Sequence, residues 1–101
     1  MMIVIAGTIR IPAEHREQIL DCLVRLRKNT LEHDEGVAAF RFGIDLEQED
    51  LLHVYEEWES TELLKGHMQK QHMDEFRDLK TKLQLETRGF SRWRAEELGQ
   101  F

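Results

Sequence analysis

The stretch Leu51-Leu52-His53-Val54-Tyr55-Glu56-Glu57-Trp58, followed directly by Glu59-Ser60-Thr61-Glu62-Leu63-Leu64, decides how the chain folds. Its first part mixes apolar, aromatic and charged residues without glycine or proline, which suits a half-buried strand. In an extended chain Leu52, Val54, Glu56 and Trp58 share one face, and Leu51, His53, Tyr55 and Glu57 the other. Ser60 then stands as a helix N-cap, because its hydroxyl can accept from a backbone N–H just ahead of it. A strand over 51–58 thus runs into a helical region over 60–83. Leu63, Leu64, His67, Met68, His72, Met73, Phe76 and Leu79 lie along that region, and Gly66 is the place where it would break in two.

Outward from this stretch the same two periodicities recur. Val37 to Ile44 forms a strand with Phe40 and Phe42 on one face, and the charged turn Asp45–Asp50 joins it to the strand over 51–58 as a hairpin. Residues 2–11 alternate, with Ile3, Ile5, Ile9 and Ile11 on one face and Val4, Ala6, Thr8 and Arg10 on the other. Their first half is apolar on both faces, which predicts a strand covered on both sides there. Pro12 ends that strand and opens a helix over 13–33, in which Ile19, Leu20, Leu23, Leu26, Thr30 and Leu31 recur at helical spacing. Asp34-Glu35-Gly36 stops it. Residues 85–94 alternate again as a fourth strand. The order is βαββαβ in one domain spanning 1–101, which predicts the α+β, ferredoxin-like arrangement: a four-stranded antiparallel sheet with its helices on one face. The other sheet face stays open, and a homodimer packed sheet to sheet would cover it.

Composition narrows the function. The net charge is −6, and Asp45, Glu47, Glu49, Asp50, Glu56, Glu57, Glu59 and Glu62 crowd one segment free of Lys and Arg. A phosphate backbone would be repelled there, so nucleic acid is not an expected partner. Arg88, Arg92 and Arg94 make the last strand locally basic, which reads as a solvated face or, alternatively, an anion site. Cys22 is the only cysteine and lies in an apolar helical pattern, as a buried inert thiol would. The apolar start is too short for a signal peptide, and no segment reaches membrane-spanning length. The expected setting is cytoplasmic, with the first strand at the native start of the chain.

Two histidines and one carboxylate carry the candidate chemistry. His67 and His72 are five residues apart, about 140° around a regular helix, so they do not chelate as an i, i+4 pair. No cysteine or clear carboxylate partner completes a metal set, and no metal site is expected. One imidazole facing the gap between helix and sheet could instead remove a proton from an acidic small molecule. Glu56 points the same way as Trp58, and a carboxylate in an apolar wall requires a partner, as in a small-molecule pocket. Nucleotide, flavin and hydrolase motifs are absent, so no cofactor is expected.

The residues Glu35-Gly36, Phe40, Asp45, the strand Leu52–Trp58, Leu63-Leu64, His67, His72 and Phe76 together resemble the antibiotic biosynthesis monooxygenase family of dimeric α/β-barrel proteins. The pattern is a Gly-led strand with an aromatic, a strand ending E-x-W, then a helix with H-x4-H and a further aromatic. The resemblance implies a homodimer whose sheets meet in a barrel, with a pocket in each protomer between sheet and helices. It implies oxidation of a phenolic or hydroquinone-type compound by O2 without metal, flavin or haem. His67, His72 and Glu56 would do the chemistry, while Trp58, Phe40, Phe42, Phe76 and Met68 would bind the aromatic substrate. Phe40 stands where many members have Tyr. Haem-degrading relatives carry Asn about where Gly7 and Thr8 lie, which speaks against haem as substrate. Two other functions fit the same residues: an isomerase or tautomerase working on a small signal molecule, and a non-catalytic ligand-binding stress protein whose pocket is filled by side chains.

Overall fold

A computed structural model describes every residue from Met1 to Phe101. The elements are β1 (Met2–Arg10), α1 (Arg16–His33), β2 (Val37–Ile44), β3 (Leu51–Trp58), α2 (Thr61–Met68), α3 (Asp74–Leu83) and β4 (Thr87–Ala95). The strands form one antiparallel sheet in the order β2-β3-β1-β4. This is the expected α+β ferredoxin-like fold, with both helical segments on one face of the sheet.

Register explains which side chains meet. Ile3, Ile5, Gly7 and Ile9 of β1 lie opposite Trp58, Glu56, Val54 and Leu52 of β3. Because side chains alternate, all of these face the helices. From α1, the buried residues Ile19, Cys22, Leu23, Leu26 and Thr30 form the complementary stripe. One apolar core joins the two layers. Arg27 Nε donates to the Phe40 carbonyl at 2.8 Å, tying α1 to β2. Arg25 and Glu75 pair across the surface between α1 and α3. Cys22 lies inside this core, and burial pushes its thiol up to about 11, so it is inert at neutral pH.

Three differences from the sequence reading matter for the site. A short 3-10 turn, Ala13–His15, precedes α1, so the first α-helix starts at Arg16. The fourth strand begins at Thr87, because Gln84 turns left-handed (φ 51°) and sends the chain back toward the sheet before Leu85 enters the core. Most consequential, the region 60–83 is two helices joined by a 3-10 turn, Gln71–Met73. Gly66 is not the break, for it sits within α2 with ordinary helical geometry. The chain leaves the helix at Gln69, and Lys70 is extended (φ −72°, ψ 146°).

Two glycines are required by their surroundings. In β4, Gly89 has φ +64° and lies in a β-bulge where the register with β1 shifts, between Ala6 and Thr8. Gly36 has φ +84° in the turn after α1, and a Cβ there would stand 2.9 Å from Cβ of Leu63. Its carbonyl also accepts from Glu59 N at 2.8 Å. Strain and collision act together, so Gly36→Ala is expected to cost about 1–3 kcal/mol. Urea denaturation checks this, and an unchanged midpoint would contradict it.

Candidate active site

A cavity of about 500 Å³ opens between the helices and the sheet. Ile5, Leu23, Phe40, Phe42, Phe76 and Phe90 supply much of its wall, and His67 and Glu56 are its polar groups from the interior. Met68 lies at its edge, half exposed. Phe40 and Phe42 meet edge to face with centroids 5.3 Å apart. Beside Gly7 the wall is the ring of Phe90, and a Cβ at position 7 would come within 2.9 Å of the Phe90 Cα. A larger residue at position 7 would therefore displace that wall.

Behind the wall is a polar cluster. Asp34, the residue ending α1, lies buried between His67 of α2 and His72 of the 3-10 turn. His67 Nδ1 hydrogen-bonds Asp34 Oδ2, and His72 Nε2 lies 3.1 Å from the same oxygen. The divergence expected of His67 and His72 on one regular helix is thus overturned. The extended residue Lys70 rotates the chain between them, and both rings converge on one carboxylate. A carboxylate only accepts, so His67 carries its proton on Nδ1 and His72 on Nε2. That leaves His67 Nε2, which makes no hydrogen bond within the chain, as the basic nitrogen of a ring that lines the cavity.

Burial holds the His67 pKa below its usual value, opposed by the Asp34 hydrogen bond and charge. The ring is therefore neutral, and basic, at neutral pH. Its orientation is fixed by Trp58, whose ring centroid is 4.7 Å away, and by Phe40 at 5.4 Å. Trp58 is completely buried and stands behind His67 rather than in the cavity wall. Its Nε1–H donates to Glu56 Oε1 at 2.9 Å. Burial raises the Glu56 pKa, and the Trp58 hydrogen bond partly offsets this. His72 contacts Asp34 but does not line the cavity.

Asp34 is the residue the sequence reading missed, and it supplies the carboxylate partner absent from that reading. One signal was present. A carboxylate at a helix C-terminus faces the negative end of the helix dipole, an unfavourable place unless cationic or donor groups meet it. Asp34, His67 and His72 bring three ligand atoms within 4.8 Å of one another, so these residues could hold a metal ion.

A sequence model of antibiotic biosynthesis monooxygenases matches residues 2–79. The chain belongs to this family. No curated protein matches the sequence. Among solved structures, this family member resembles a Deinococcus radiodurans protein described as a candidate antibiotic biosynthesis monooxygenase, with TM-score 0.86, 19% identity and coverage of 98% of this chain and 97% of the other. A conserved protein from Methanosarcina mazei gives TM-score 0.84 at 23% identity over 95% and 94% of the two chains. PA3566 from Pseudomonas aeruginosa gives 0.79 at 15% identity over 95% of each. At such identities the likeness is one of fold. As an antibiotic biosynthesis monooxygenase family member the chain has no helix long and apolar enough to cross a membrane.

Proposed function

We propose that this protein oxidises a small phenolic or hydroquinone-type compound with O2, using no cofactor. The observation that carries this reading is the Asp34–His67 pair beside an aromatic cavity. His67 Nε2 takes the phenolic proton, and Asp34 stabilises the imidazolium that results. The phenolate passes one electron to O2, the two radicals recombine at a ring carbon as a peroxide anion, and the proton held on His67 returns to it to give a hydroperoxide. Loss of water leaves a quinone, with one oxygen atom in the product and the other in water. The substrate supplies all the electrons, so the protein need only orient the ring, shift a pKa and exclude solvent.

In this reading Glu56, which lines the cavity with a raised pKa, meets a second polar group of the substrate, and His72 holds Asp34 in position. A homodimer through the open sheet faces belongs to the same proposal. Tyr55, whose hydroxyl donates to Glu57 at 2.6 Å, lies on that face, and so does Trp93, which is 51% exposed.

Oxygen uptake on a panel of hydroquinones and naphthols tests the reaction. Uptake matched by quinone formation is expected in air, with none under argon. Product formed equally without O2 would replace this reading with an isomerase or tautomerase.

A further inference from the structure

We infer that the substrate of this cavity is an aromatic carboxylate, its acid group held at the mouth by Lys65, Lys80 and Arg92. These residues come from three separate elements, α2, α3 and β4, and all three line the same cavity. Arg92 lies across from Ile5 in the β1–β4 register, which puts it on the helix side of the sheet. None of the three makes an ion pair; Arg16, Arg27, Lys28, Arg41, Lys70, Lys82 and Arg94 make none either, so it is the shared cavity that sets Lys65, Lys80 and Arg92 apart. In a chain of net charge −6, with 20 acidic residues available, no carboxylate has been spent on these three cations.

Like charges gathered at one mouth repel one another, and an anion relieves that repulsion. The interior below them is apolar and aromatic, so the complementary ligand has an aromatic body and an anionic end. Two lysines offer point charges and the arginine a planar fork, a set suited to a carboxylate. A volume near 500 Å³ admits a small fused-ring compound. Lys65 lies within the segment matched by the family, 2–79, and Lys80 and Arg92 lie beyond it.

The inference rests on the proposed function only in taking the cavity as the substrate site, and binding measured without oxygen tests it separately. The probes are 6-hydroxy-2-naphthoate and its neutral methyl ester, titrated anaerobically by calorimetry. At low salt the acid is expected to bind about tenfold more tightly than the ester, the sum of several exposed ion pairs. The preference should shrink as salt rises to about 0.5 M, where screening is nearly complete at contact range. In Lys65→Gln/Lys80→Gln/Arg92→Gln the two probes should bind within about twofold of each other. These side chains are exposed, so the fold should survive, and an unchanged melting curve verifies it. Equal binding of acid and ester, an unaltered preference in the triple variant, or no binding of either probe would overturn the inference. A clear preference for the acid with no oxygen uptake would sink the oxygenase proposal alone.

Discussion

Replacing His67 by Gln is expected to lower kcat on a productive phenol about 10²- to 10⁴-fold, the range for loss of a general base. The geometry isolates this residue. His67 Nδ1 is committed to Asp34, and Nε2 is the nitrogen left for the substrate. His72 cannot substitute, because it does not line the cavity. The pH profile supplies a second readout. Burial holds the His67 pKa below its ordinary 6.5, so the neutral, basic form persists to lower pH. Turnover should therefore rise with pH through an apparent pKa below 6.5 and then level off. Asp34 opposes this lowering through its hydrogen bond and its charge. In Asp34→Asn the rise should shift to still lower pH, with kcat between those of wild type and His67→Gln. Oxygen uptake corrected for spontaneous oxidation, followed from about pH 5 to pH 8.5, spans that titration range. Full activity in His67→Gln, or a profile shifting to higher pH in Asp34→Asn, would remove His67 from the role of base.

Trp58→Ala should be the most destabilising single change, by about 3–5 kcal/mol, the range for truncating a large buried aromatic. Trp58 is completely buried, packs in a tilted contact against His67 and donates to Glu56. Its loss opens a cavity behind the site and leaves Glu56 without the donor that helps offset its burial. That cost is a large share of the stability of a domain this size, so Trp58→Phe provides a milder companion. It keeps most of the apolar contact and loses the hydrogen bond, with an expected cost of about 1–3 kcal/mol. It should also raise the Glu56 pKa further, because the hydrogen bond lowers it in the wild type. Urea denaturation of both variants, with NMR titration of Glu56 in Trp58→Phe, measures the two effects. A loss below about 1 kcal/mol in Trp58→Ala, an amount ordinary for a surface site, would contradict the packing described.

Sequence pattern by itself determined the strands, the first helix and the face each presents. Leu52, Val54, Glu56 and Trp58 alternate, and α1 repeats its apolar residues every three or four positions, because backbone geometry imposes those periods locally. The family could be read from the same stretch, since Trp58, His67 and His72 are ordered along it. Only the tertiary structure joined Asp34 to His67 and His72, which lie 33 and 38 residues further along the chain. No local rule connects a helix-ending aspartate to a turn so distant. The turn itself was hidden as well. The chain leaves the helix at Gln69 and runs extended at Lys70, two residues that helices accommodate readily, while the glycine that resembled a break remains helical. Lys65, Lys80 and Arg92 each look like ordinary solvated charges in sequence, and they acquire a common direction only when three elements pack around one cavity. The stretch from Leu51 onward thus determined what the chain folds into. The candidate site depended on long-range packing, because Asp34, His67 and His72 meet only where separate elements pack together.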